Sequence, residues 1–124
     1  MRILMSKAFS RFSRQEGISD DILVRAVREI EAGLIHADLG GGLIKQRIAR
    51  PGGGKSGGFR TVLVWRRGDL AVFLLGFAKS MRSNLTEGEA EIARATARSL
   101  LRMGPSDLAR VVAEGKLREI DHGR

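Results

Sequence analysis

The chain has 124 residues, long enough for one domain that buries its own core, and its 43% hydrophobic and 29% charged residues read as globular rather than disordered. It has no cysteine, which excludes disulfides, a thiolate metal site and a thiol nucleophile. The formal charge of +8 favours a polyanionic partner. Ile3-Leu4-Met5 is too short for a signal-peptide core, and the longest apolar run, Leu70 to Ala78, cannot span a bilayer. The expectation is a soluble, unexported, cytoplasmic protein with no membrane partner.

In chain order, Arg2 to Ser6 suits a short strand and Lys7 to Gln15 a brief basic helix that Gly17 breaks. Ser19 or Asp20 caps a second helix, with apolar positions at Ile22, Leu23, Ala26, Val27 and Ile30 on one stripe. Gly33 ends it, as left-handed C-terminal positions favour glycine. A turn at Gly40-Gly41-Gly42 leads into an alternating strand over Leu43 to Ala49. Phe59 to Arg66 is β-branched and aromatic. Leu70 to Phe77 is nearly all apolar and is expected to be central, covered on both sides. Arg67-Gly68-Asp69 between them reads as a tight hairpin.

Thr86 and Glu89 predict a capping box for a long helix to about Met103, with Ala90, Ala93, Ala97 and Leu100 on its buried side. Gly104-Pro105 stops it. A last short helix carries Leu108, Val111 and Val112, and Gly115 precedes a tail with Leu117 and Ile120. Helices, then an antiparallel sheet, then helices argue an α+β fold, with helices on one sheet face and the other face free to bind. Residues 1–124 are expected to be one domain, of which 85–124 form a helical C-terminal extension.

The charge is unevenly placed. From Leu43 to Asn84 the basic residues are Lys45, Arg47, Arg50, Lys55, Arg60, Arg66, Arg67, Lys79 and Arg82, opposed only by Asp69. Outside that segment basic and acidic residues cancel, thirteen against thirteen. Solubilising charge is normally interspersed by sign, so this block reads as a nucleic-acid or phosphate site.

Within it, Ala49 to Ser56 (ARPGGGKS) nearly spells a nucleotide-binding P-loop. That chemistry requires a helix to begin at the Lys-Ser pair, so that its amides point at the phosphate. The following residues, Gly57 to Val64, read as a strand instead, and no buried strand ends in an aspartate for the magnesium. The match is a mimic.

Alternation puts Lys45 and Arg47 on one strand face, and Arg60 and Arg66 on one face of the next. If the faces coincide, four cations converge on the open side of the sheet, with Lys55 on a glycine-flanked loop above and Lys79 just beyond the third strand. Such a cluster suits RNA cleavage by attack of a 2′-hydroxyl on the adjacent phosphate. That reaction needs a base, donors to the phosphoryl oxygens and an acid for the leaving oxygen. His36 and His122 are the two histidines, and both lie outside the basic segment, where they read as surface residues. A lysine crowded by arginines has its pKa pushed down, so Lys55 or Lys79 is the candidate base or acid, with Arg47 and Arg60 holding the phosphate. The alternative is that these residues only grip RNA.

Three blocks carry a family resemblance: Leu39 to Ala49 (LGGGLIKQRIA), Gly54 to Arg60 (GKSGGFR) and Phe77 to Ser80 (FAKS). It continues through Arg82-Ser83-Asn84 to the tail Glu114 to Ile120. Together they resemble the RelE/HigB-type toxins of bacterial toxin–antitoxin modules. The resemblance implies a microbial-ribonuclease-like α+β fold with N-terminal helices, an antiparallel sheet of three to four strands and C-terminal helices. It implies cleavage of mRNA on the ribosome, without metal or cofactor, and neutralisation by a small antitoxin, often a helix-turn-helix protein. The family's catalytic basic residues map onto Lys55, Arg60 and Lys79, with Lys45 and Arg47 as support; Arg50, Arg66 and Arg82 of the basic segment are further RNA-binding candidates. Some relatives stack a tyrosine on the base; this chain has none, leaving Phe77, Phe59 or Trp65, of which Phe59 and Trp65 fall opposite Arg60. Two other readings remain: a related toxin acting on DNA gyrase, and a non-catalytic nucleic-acid-binding module.

Overall fold

Ser6 ends the first strand and starts the first helix in a single step: its hydroxyl accepts the Phe9 N–H at 3.0 Å and donates to the Leu74 carbonyl at 2.8 Å. This is seen in a computed structural model of the chain, which describes residues 1–50, 52–53 and 57–122. The order is β1 (Arg2–Ser6), α1 (Lys7–Gln15), α2 (Asp20–Glu31), β2 (Ala37–Gly40), β3 (Leu43–Ile48), β4 (Phe59–Arg66), β5 (Leu70–Ala78), α3 (Glu87–Leu101), α4 (Pro105–Ala113) and β6 (Leu117–Glu119). Ser19 caps α2, accepting the Ile22 N–H at 3.3 Å. The Thr86–Glu89 capping box of α3 is present in both directions.

The strands form one six-stranded sheet in the order β2-β3-β4-β5-β1-β6. The class is α+β, as the sequence predicts, but the sheet is larger than three to four strands and is mixed. β1 lies parallel to β5, with Arg2 opposite Leu70 and Met5 opposite Phe73, while the other neighbours are antiparallel. The tail supplies β6, which pairs with β1 and closes that edge of the sheet.

The expectation of helices on one face only is overturned. On one face α1 and α2 pack Phe9, Leu23, Val27 and Ile30 against Ile3, Met5, Ile44, Ile48, Phe59, Leu63 and Phe73. On the other, Ala93, Ala97 and Leu100 of α3 and Leu108 of α4 cover Leu4, Leu43, Val62, Val64, Leu70 and Val72. The cause lies in the strands: β1, β4 and β5 are apolar at both parities, so each face carries hydrophobic area that one helical layer cannot cover. β5 is central and buried on both sides at Leu70 to Phe73, as its composition predicts. Phe9 stacks on Phe73 at 5.0 Å and Phe12 meets Phe59 edge-on at 5.5 Å, so truncating Phe9 to alanine costs about 3–5 kcal/mol.

Two glycines allow close approach. A side chain at Gly58 would run into the backbone of Ile48, Ala49 and Arg50, and one at Gly76 would meet the Phe12 ring at 2.5 Å. Gly58 thus lets the start of β4 lie against the end of β3, which brings the basic ends of both strands together.

Candidate functional site

Arg47 on β3 stands directly opposite Arg60 on β4, and Arg60 opposite Phe77 on β5. One row across three strands therefore reads Arg47, Arg60, Phe77. Strand alternation places Lys45, Arg47 and Arg60 on the face that α3 covers further along, since Leu43, Val62 and Val64 of the same parity pack under that helix. The row lies at the end of the sheet near the β3–β4 connection.

The members differ in environment. Arg60 is 5% exposed, and burial first, then the charge of Arg47, pull its guanidinium below its ordinary pKa. It nevertheless stays a cation at neutral pH. Arg47 is exposed, and among the described residues it forms no ion pair. Lys45 donates to Asn84 Oδ1 at 3.0 Å, which ties β3 to the segment before α3.

Arg82 lies over the Phe77 ring at 4.5 Å and pairs with Glu89, one of its two bonds spanning 2.9 Å. The hydrogen bond to Glu89 raises the Arg82 pKa, and the Arg82 bond, followed by the Thr86 N–H, holds Glu89 down at about 2. The capping carboxylate of α3 thus fixes a cation above the aromatic floor of the row. Lys79 is exposed in the turn after β5, its backbone N–H bonded to the Gly58 carbonyl at 3.1 Å. Phe77 is 5% exposed beneath Arg82, Phe59 is fully buried in the opposite core and Trp65 is partly buried against that core.

Of the sequence-predicted site residues, the structure brings together Lys45, Arg47, Arg60 and Arg82, with Lys79 next to Gly58 at the edge. Lys55 lies outside the described residues. Arg50 takes the opposite side: its guanidinium sits 5.2 Å from the Phe59 ring and lines a groove beside α2 with Arg25 and Arg47. Arg66 is not brought to the cluster. Its strand runs away from Arg60, roughly 20 Å over six residues, and its guanidinium binds Asp69 at 2.8 Å and the Leu101 and Met103 carbonyls at 3.1 and 2.9 Å. It caps the C-terminal end of α3, where the last carbonyls lack helical partners.

His36, which the sequence reads as a surface residue, is half-buried at the edge of the cluster. Its pKa is lowered by burial and then by Arg47, Lys45 and Arg60. Its separation from the basic segment in the chain hid this, and no local signal reveals it. His122 sits far off, its Nε2 2.8 Å from the Met1 carbonyl oxygen.

With a strand starting at Phe59, the P-loop-like spelling lacks the helix that its chemistry requires. Among the described residues there is no group of three metal-ligating side chains, and no helix is long and apolar enough to cross a membrane. What the arrangement offers is a set of clustered cations, Arg60 buried and Lys45 and Arg82 held by partners, beside an aromatic ring. That combination recognises phosphate and stabilises charge developing on it.

Compared with known proteins, residues 1–120 match the family model described as the RelE toxin of the RelE/RelB toxin–antitoxin system. No curated protein matches the chain.

Proposed function

We propose, from the premise that the chain belongs to the RelE toxin family of toxin–antitoxin systems, that it is a ribosome-dependent endoribonuclease cleaving mRNA. The observation that carries this reading is the row Arg47, Arg60, Phe77 with Arg82 above it. A protein seldom buries an arginine opposite another arginine, since like charges facing across a strand pair are destabilising. An anion on the row relieves that repulsion, and a phosphodiester is the anion the family setting supplies.

In this reading the Arg47 and Arg60 guanidiniums bind the phosphoryl oxygens and stabilise the extra charge of the pentacoordinate transition state. Arg82 and Lys45 hold the flanking strand, and Lys79 or Lys55 donates a proton to the leaving 5′-oxygen. The fixed ion pair of Arg82 and the buried setting of Arg60 favour catalysis over loose binding, because preorganised charges need not reorient during reaction. The partner that restrains this activity is a cognate antitoxin, in our reading a small helix-turn-helix protein acting in the same cytoplasm.

The test is expression without antitoxin, followed by mapping mRNA 5′ ends. Cuts within translated codons, lost in Arg60→Ala and Lys55→Ala variants that stay folded, are the expected result. Growth arrest with intact mRNA and blocked DNA supercoiling would replace this reading with a gyrase toxin. RNA binding with no cuts on translating ribosomes would leave a binding module.

A further inference from the structure

Attack by a 2′-hydroxyl needs a proton acceptor, and a guanidinium cannot be one, because arginine stays protonated in proteins. Beside Arg47 stands a group with the right chemistry. Gln46, 4% exposed, reaches from β3 to the loop between α2 and β2: its Nε2 donates to the Leu34 carbonyl at 2.7 Å, and its Oε1 accepts the His36 N–H at 3.0 Å. Thr61 on β4 donates to the Gln46 carbonyl at 3.1 Å. This buried amide pins the loop to the sheet and sets His36 against the exposed edge of β3.

There His36 and Arg47 line one open groove of about 460 Å³, with Glu29 on its α2 wall. Arg47 and Glu29 also line the adjoining groove of about 250 Å³ that holds Arg25 and Arg50. The two share Arg47 and Glu29 and so lie side by side as a trough along β3. Among the described residues the His36 ring nitrogens bond no protein group, and His36 lines this trough, so its ring is without a competing protein partner there. The charged groups around the ring are Glu29 from α2, Lys45 and Arg47 from β3 and Arg60 from β4. Burial first, then Arg47, Lys45 and Arg60, hold the imidazole below its ordinary pKa, hence neutral and able to accept a proton at pH 7.

We propose that His36 is the general base of the cleavage, taking the proton from the 2′-hydroxyl of a nucleotide whose phosphate rests on Arg47. This rests on the ribonuclease reading above. As the proton moves to the imidazole nitrogen, the 2′-oxygen bonds to phosphorus and the bond from phosphorus to the 5′-oxygen breaks. The leaving oxygen receives a proton from the general acid, the upstream product ends in a 2′,3′-cyclic phosphate, and the imidazolium returns its proton to solvent. The mRNA then runs along the β3 trough as well as over the Arg60 row.

The experiment is single-turnover cleavage of a defined mRNA on programmed ribosomes, followed across pH for the wild type, His36→Asn and Arg47→Ala. The His36 N–H to Gln46 bond uses the backbone, so His36→Asn keeps the loop in place, and an unchanged melting temperature verifies this. The wild-type rate should rise with pH through a limb below about 6.5, the ordinary histidine value, and then level off. His36→Asn should lose at least about 100-fold at pH 7 together with that limb. Arg47→Ala should lose rate and keep the limb, displaced to higher pH because a cation that lowers the His36 pKa is gone. If His36→Asn cleaves at the wild-type rate, or slows while the acid limb persists, His36 is not the base although the ribonuclease reading stands. A wild-type protein that cuts no mRNA overturns both.

Discussion

Arg60, 5% exposed, faces the exposed Arg47 directly across the β3–β4 pair. Paired strand residues have Cβ atoms about 5 Å apart, so two like charges are held at close quarters by the backbone register. The arrangement costs stability, and in the proposed reading it serves the anion. Arg60→Leu should therefore leave the fold intact and raise stability by roughly 1 kcal/mol, a few degrees in melting temperature, while abolishing growth arrest. Thermal melts beside a toxicity assay check this. A variant that loses stability as well as activity would make Arg60 a structural residue.

Arg66 belongs to the same basic segment but does different work. Its bonds to the Leu101 and Met103 carbonyls hold the end of α3, and Asp69 holds Arg66. Arg66→Ala should cost about 1–3 kcal/mol in urea unfolding, because ionic hydrogen bonds to otherwise unpartnered carbonyls are lost. Cleavage per folded molecule should stay at the wild-type level. A normal unfolding midpoint with impaired cleavage would return Arg66 to the RNA surface.

Acid should uncouple Glu89 from Arg82. The carboxyl is held at about 2 against an ordinary 4.5, so its contribution is complete above pH 4.5 and fades as pH falls toward 2. Both side chains are about a third exposed, which limits the contribution to about 1 kcal/mol. Unfolding free energies of the wild type and Glu89→Gln, from urea titrations, should differ by that amount at pH 7 and converge at the acid end. A difference that does not shrink with acid would assign the effect to the capping bond from Thr86 rather than to charge.

Gly58 and Gly57 offer a matched pair. A Cβ at Gly58 would overlap the backbone of Ile48, Ala49 and Arg50, whereas one at Gly57 would meet nothing within 4 Å. Gly58→Ala should destabilise by about 1–3 kcal/mol and spread the basic ends of β3 and β4, lowering activity beyond the loss of folded protein. Gly57→Ala should change stability by under about 0.5 kcal/mol. Equal effects at both positions would mean that loop flexibility, not close strand approach, is what the glycines provide.

Much of this protein is written locally. Ser19, Thr86 and Glu89 mark their helix starts because a cap is a contact within three residues, and the apolar periods of α2 and α3 name their buried faces. The charge of Lys45 to Arg82 is equally plain in the chain, and so is the shared face of Lys45 and Arg47, since alternation along one strand needs no partner. Other features depend on partners distant in sequence. β2 and β6 are short and carry no apolar alternation, and they are strands only because β3 and β1 offer unpaired edges. Apolar residues at both parities required two helical layers, yet which helices supplied them was settled by packing.

The same division runs through the site. Composition put Arg50, Arg60 and Arg66 in one basic block, and tertiary structure sent them to three places: the trough beside α2, the buried row and the end of α3. His36 joined the cluster through a buried glutamine ten residues along the chain. Local sequence determines which groups are available and how each element begins and ends. Strand register and packing decide which charges face one another, because those distances are set by residues far apart in the chain.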